Sequence, residues 1–242
     1  MVSLVKNDDG VYRLQTPFGN LSIGVIAKSA NEVDYALESE VIRAREKELI
    51  RGCTGIETKN IVALNQLHED TILIIHETPR HDALVYGEAD GFLSRLTGTC
   101  LIIRTADCVP VFAYDPLKRV LGAVHSGWRG TRLAIARKLV REMKRRWGSE
   151  YRDVHLYILP SIGPESYVVG REVADLFPAD VNEIKGKLYL NLWQNIKRSV
   201  REEGIPADNI FCADVCTLKS NDEFFSHRGG DTGRNLNFGF LI

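Results

Sequence analysis

Two histidines and a cysteine each stand at or just past the end of an apolar run. His68 closes Leu64-Asn65-Gln66-Leu67-His68. Cys108 lies in Arg104-Thr105-Ala106-Asp107-Cys108-Val109-Pro110. His125 lies in Ala123-Val124-His125-Ser126-Gly127-Trp128-Arg129-Gly130. Such runs predict buried strands, and strand ends hold side chains more firmly than free loops do. Two imidazoles and a thiolate form a borderline-soft donor set suited to zinc or copper. Three protein ligands leave a fourth tetrahedral position open, the pattern of catalytic rather than structural zinc. Spacing alone argues for this only weakly, because the three residues form no compact metal motif. A lone histidine beside a strand is more often a hydrogen-bonded structural residue, and a cysteine a small buried hydrophobe. A thiolate near a histidine could instead be a nucleophile, which would make Cys108 and His125 a hydrolytic pair.

These residues need a scaffold, and the chain is long enough for one sizeable core, with 242 residues. A formal net charge of -1 selects neither nucleic acid nor membrane as partner. Five cysteines are an odd number, no CxxC pair occurs, and acids stand where a leader peptide would be apolar. Reduced thiols in a cytoplasmic chain are therefore expected. Val11 to Ile26, broken by Thr16-Pro17-Phe18-Gly19-Asn20, reads as a hairpin. Asn31 to Arg51 reads as a helix capped by Asn31 and ended by Gly52, with Val33, Leu37, Val41, Ala44 and Leu49 at helical spacing. Strands are expected at 61–67, 71–76, 101–103, 109–114, 119–125, 153–159 and 210–213, with 238–242 pairing in a sheet. Helices are expected at 131–147, 171–177 and 189–203. Strands and helices mix without regular βα alternation, which predicts an α+β fold in one domain over residues 1–242. The helix at 131–147 carries Arg132, Arg137, Lys138, Arg141, Lys144, Arg145 and Arg146 against Glu142 alone. A solvated face is the default reading. A nucleic-acid patch is the alternative, and no flanking aromatic motif supports it.

The stretches TADCVP, HSGWRG, QLH, SIGP-x-x-Y and FFSHR-x-x-x-TGR together resemble the YfiH/laccase-domain family, with matches that stay in order from about Arg45 to Asn235. The resemblance implies that His68, Cys108 and His125 bind zinc, with copper the alternative metal. It implies a single α+β layered domain of mixed sheets flanked by helices, similar to the catalytic domain of cytotoxic necrotizing factor. It also implies purine nucleoside chemistry: phosphorolysis of adenosine, inosine, guanosine and methylthioadenosine, and adenosine deamination. Purine nucleosides and phosphate are then the expected partners. Phosphorolysis needs an anion site. Arg129 precedes a helix within Gly127-Trp128-Arg129-Gly130, where backbone N–H groups and the helix start favour an anion; a turn arginine paired with a carboxylate is the alternative. Arg45 matches a family arginine. Arg228 and Arg234, in the Gly-rich tail, could also reach an anion or serve only the loop. Asp107 beside Cys108 could shuttle a proton or orient a ligand.

The resemblance leaves other readings open. A cysteine hydrolase on Cys108 and His125 is the first. A copper polyphenol oxidase is the second, although several coppers need many histidines and the chain has six. Peptidoglycan precursor quality control is the third. Family members often carry paired cysteines after the IGP turn; here those positions are Glu165 and Ser166. Gly229 replaces an arginine common after the SHR triplet, and Glu69 replaces the glycine usual after QLH. His76, His81 and His155 match no motif. His227 could touch substrate or only hold its loop. Cys53, Cys100, Cys212 and Cys216 read as packing residues.

Overall fold

The computed structural model describes residues 2–77 and 85–242, so His81 lies outside the described residues. Strands are numbered in chain order. Among the described residues they form three sheets. The first runs β1 (Ser3–Lys6), β2 (Tyr12–Gln15), β3 (Leu21–Ile26), β16 (Asn235–Leu241), β8 (Cys100–Thr105), β4 (Ile61–Asn65) and β6 (Val85–Glu88). The second runs β15 (Ile210–Cys212), β11 (His155–Ile158), β9 (Val109–Asp115), β10 (Val120–Ser126), β7 (Gly91–Ser94) and β5 (Ile72–Ile75). A small third sheet runs β12 (Val168–Val169), β14 (Lys187–Leu190) and β13 (Val181–Ile184). Pairing in the two large sheets is mixed. Antiparallel β3–β16–β8 meets parallel β8–β4–β6, and β5–β7 and β11–β15 are parallel among antiparallel neighbours. The expected α+β class of mixed sheets and helices is the observed one.

The continuous apolar runs are explained by burial on both faces. On β9, Phe112 and Tyr114 pack with Ile23, Leu101 and Ile103 of the other large sheet. Val109, Val111 and Ala113 point the opposite way. They meet the helices α3 (Ile135–Trp147) and α5 (Leu192–Arg201). Beyond the first sheet, Ile61, Ala63, Ile102 and Phe238 pack with Ile50 of α1 (Ser39–Thr54). The order of layers is therefore helix, sheet, sheet, helices. The sheets approach closely at Gly239, where a Cβ would lie 2.7 Å from the Phe112 ring.

All four helices expected from the sequence depart from their expected bounds. α1 begins at Ser39 rather than Asn31, and ends at Gly55 rather than Gly52, with Gly55 at φ 72° and its N–H on Arg51 O. Asn31 is drawn elsewhere: its Nδ2 donates to Tyr35 Oη and to Arg234 O, each at 3.0 Å. Val33 and Leu37 thus keep helical spacing in a loop. The helix expected over 131–147 is two: α2 (Trp128–Arg132) and α3, separated by Ala134 at φ 56°. α4 is the short Arg171–Ala174, and Tyr189 belongs to β14, with Asn191 capping α5 by accepting from Gln194 N–H at 2.9 Å. The basic face of α3 is met by acids: Arg137 by Glu202, Lys138 by Asp70, Arg141 by Glu203, Lys144 by Glu150, and Arg145 and Arg146 by Glu142. Among the described residues no helix is long and apolar enough to cross a membrane.

Candidate functional site

The layered fold gathers the three donors at one end of the sheets. His68 lies three residues past the end of β4, Cys108 in the turn from β8 to β9, and His125 near the end of β10. Their ligand atoms all lie within 4.8 Å of one another, and among the described residues no other such donor group occurs. The two imidazoles meet edge-on with centroids 4.7 Å apart. His125 is buried, Cys108 partly buried and His68 exposed. A metal could therefore be held from one side and approached from the other.

The chemistry of the donors fits a metal. Burial would raise the Cys108 thiol, but the charge of His125 and hydrogen bonds from both imidazoles outweigh it and bring the thiol down to about 6. Burial would lower His125, but the Cys108 thiolate and the Asp90 carboxylate push it up to about 9. Without an ion the pair is a thiolate beside an imidazolium. With an ion, the thiolate is already in the ligating form. Gly127 completes the pocket: a Cβ there would lie 2.8 Å from Cys108 Sγ, so no larger residue lets this backbone pass the sulfur.

Sequence reasoning missed Asp90. It is fully buried, and its carboxylate accepts from His125 Nδ1 at 2.8 Å and from three consecutive backbone N–H groups, Leu67 to Glu69. The only signal in the sequence is an acid between Ala89 and Gly91-Phe92-Leu93, which is also how an ordinary turn looks.

Asp107 is also buried, and both its oxygens are engaged. Oδ1 accepts from the Thr217 hydroxyl at 2.7 Å and Oδ2 from Arg228 N–H at 2.9 Å. It ties the Cys108 turn to the C-terminal loop. This geometry favours the orienting role over the proton shuttle.

Two cavities share His68, Cys108, Ala106 and His227 in their walls. One, of about 390 Å³, adds Gln66, Arg104, Thr105, His125 and Arg234. The other, of about 310 Å³, adds Asp107, Ile162, Tyr167, Leu192 and Arg228. Arg104 is tied to the buried Glu46 at 2.8 Å. Arg228 lies over the Tyr167 ring, 5.2 Å from its centroid, and donates to Val168 O. Arg234 donates to Thr232 O and Gly233 O. Arg129 is exposed over Trp128, and Arg45 is exposed on α1; neither lines these two cavities. A larger hollow of about 780 Å³ lies beside the end of α5 and shares no residue with the trio.

Two named relatives and one solved structure match nearly the whole chain. A protein named "Purine nucleoside phosphorylase" from Bacteroides thetaiotaomicron is 32% identical over 271 residues, spanning 100% of this chain and 99% of that one. One named "Adenosine deaminase RL5", from an unknown prokaryotic organism, is 28% identical, spanning 97% of this chain and 95% of that one. The crystal structure of Bacillus licheniformis hypothetical protein YfiH superposes with a TM-score of 0.88 at 25% identity, covering 99% of each chain. Residues 23–241 match the family described as multi-copper polyphenol oxidoreductase laccase, and the chain belongs to this YfiH/laccase-domain family.

Proposed function

We propose that this chain is a zinc-dependent purine nucleoside enzyme, which cleaves adenosine, inosine, guanosine or methylthioadenosine with phosphate and also deaminates adenosine. The observation that carries the reading is that His68 and Cys108 stand in the walls of two neighbouring cavities, with His125 in the wall of one of them. One has an apolar side of Ile162, Tyr167 and Leu192 that suits a flat purine, next to the polar Asp107 and Arg228. The other is polar, with Gln66 and Thr105, and suits ribose hydroxyls and an anion. The names of the two relatives above agree with this pair of reactions.

His68, Cys108 and His125 would hold the zinc, which when bound supplies a Lewis acid and makes water more acidic. In phosphorolysis an oxygen of phosphate bonds to C1′ as the C1′–N9 bond breaks, and the base leaves with the electron pair and takes up a proton. Arg228 and Arg234 flank the trio on its two sides and have no carboxylate partner among the contacts described above, so they are the preferred phosphate ligands. Arg129 and Arg45 lie farther out and are secondary candidates. His227 lines both cavities and would hand a proton to N7 of the departing purine. Asp107 holds the loop that carries His227 and Arg228. In deamination, water adds at C6 of adenine and ammonia leaves. Incubating inosine with the protein, with and without phosphate, tests the main reaction. Hypoxanthine and ribose 1-phosphate are expected only with phosphate; no release of base in either case overturns the proposal.

A second reading has its own observation. Cys108, His125 and Asp90 form a thiolate, imidazole and carboxylate in series, the arrangement of a cysteine hydrolase. Alkylation separates the two. As a zinc ligand, Cys108 is expected to resist iodoacetamide until the protein is treated with a chelator. In the metal-free protein the rate should then rise as pH increases through about 6, because the lowered thiol loses its proton there. Fast alkylation before chelation would favour the hydrolase.

A further inference from the structure

One carboxylate reaches two of the three donors from inside the fold. Asp90 Oδ1 accepts from His125 Nδ1 at 2.8 Å and from the backbone N–H of His68 at 3.0 Å. Oδ2 accepts from Leu67 N–H at 3.1 Å and Glu69 N–H at 2.7 Å. The backbone of Asp90 joins in: its carbonyl accepts from His125 N–H at 2.7 Å, and its own N–H donates to Thr71 O at 3.0 Å.

Three successive N–H groups can converge on one carboxylate only if the chain curls around it. The curl puts His68 at φ 62°, a left-handed conformation disfavoured for any residue with a Cβ. Such strain persists where the surroundings over-determine it, and it gathers at functional sites. A glycine would adopt this conformation freely but would carry no imidazole. The histidine must be at this position, and the carboxylate makes the conformation tenable.

The contact with His125 has a separate consequence. An aspartate accepts, so Nδ1 carries a proton, and Nε2, on the side of Cys108, is the nitrogen whose lone pair a metal would take once its own proton is released. A carboxylate behind a ligating histidine fixes its tautomer and ring plane and raises its basicity.

We infer that Asp90 is the positioning residue of the metal centre, setting the backbone of His68 and the tautomer of His125 with a single side chain. The inference rests on the reading of the trio as a zinc site. It also explains why the two ligands need no closeness in sequence: their common anchor stands immediately before β7, the strand that lies between β5 and β10.

The test compares Asp90→Asn and Asp90→Ala with a control, Val200→Ala, on the fully buried face of α5, away from the trio. Zinc affinity is read by competition with a chromophoric chelator. Geometry is read from the visible spectrum of the cobalt(II)-substituted proteins. Asp90→Asn is expected to bind zinc about 10- to 100-fold more weakly, with altered cobalt bands, and Asp90→Ala more weakly still. Val200→Ala should melt at a lower temperature yet keep wild-type zinc affinity and spectrum. Wild-type affinity and spectrum in Asp90→Asn would overturn the inference, as would an equal loss in Val200→Ala. Nitrogen-15 NMR of the wild-type zinc protein gives an answer that needs no variant: the imidazole proton of His125 is expected on Nδ1, and a proton on Nε2 overturns the inference. If the wild type takes up no zinc, the metal reading falls with it. If the wild type binds zinc and the Asp90 variants bind it equally well, only the positioning role falls.

Discussion

Cys108→Ala is expected to lose zinc and nucleoside turnover together while keeping its fold. The thiolate is the one anionic donor of the trio, and it sits within 4.8 Å of both imidazoles. If the ~10–16 kcal/mol of a structural zinc site is shared among four ligands, one ligand carries roughly 2.5–4 kcal/mol. Its loss should weaken binding about a hundred- to a thousand-fold. The fold should survive because the turn is held by neighbours other than the sulfur. Asp107 O accepts from Ile162 N–H at 2.9 Å, and the Asp107 carboxylate anchors Thr217 and Arg228. Metal analysis, an inosine assay and a thermal melt on one preparation check this. Full turnover in a zinc-free Cys108→Ala protein would show that the trio is not the reaction centre.

The second large effect concerns phosphate. Arg228→Ala and Arg234→Ala should each raise the KM for phosphate. A charge-assisted hydrogen bond is worth about 1.5–3 kcal/mol, so each loss corresponds to roughly 10- to 100-fold. Adenosine deamination uses water and no phosphate, so its rate should change far less. The ratio of inosine to adenine formed from adenosine should therefore rise in both variants. Arg228 has a further contact that could complicate the result, since its guanidinium lies over Tyr167 in the apolar cavity. Arg228→Lys keeps the charge without the planar stack. It should recover part of the phosphate KM if charge is what matters. An unchanged phosphate KM in both alanine variants would move the anion site elsewhere, with Arg129 the next candidate.

Much of the scaffold was legible because β4, β8, β9 and β10 are buried on both faces. Their continuous apolar runs stand out whatever surrounds them. The hairpin β13–β14 was harder to see. It is half exposed, and its alternation runs into the α5 pattern, so Tyr189 looked helical. Its turn did carry a signal, Lys185-Gly186, both with positive φ. The start of α1 was misplaced for a tertiary reason. Asn31 is a good cap by type, yet its side chain bonds to the carbonyl of Arg234, far along the chain, and no local pattern can reveal that. His68, Cys108 and His125 were identified through motifs shared with a family, since their spacing has no periodicity of its own. Asp90 had no such motif. Its importance lies in four hydrogen bonds that exist only when β5, β7 and β10 are side by side, so it was invisible until the strands were placed.

The trio is expected to hold one zinc, and that zinc is expected to be required for phosphate-dependent cleavage of purine nucleosides. The most direct measurement is a titration of zinc into chelator-treated protein, following hypoxanthine release from inosine in phosphate buffer at each step. Activity is predicted to rise in proportion to zinc and to level off near one zinc per chain, with no release when phosphate is omitted. Phosphate-dependent release that is already complete in the metal-free protein, and does not respond to zinc, would contradict the claim.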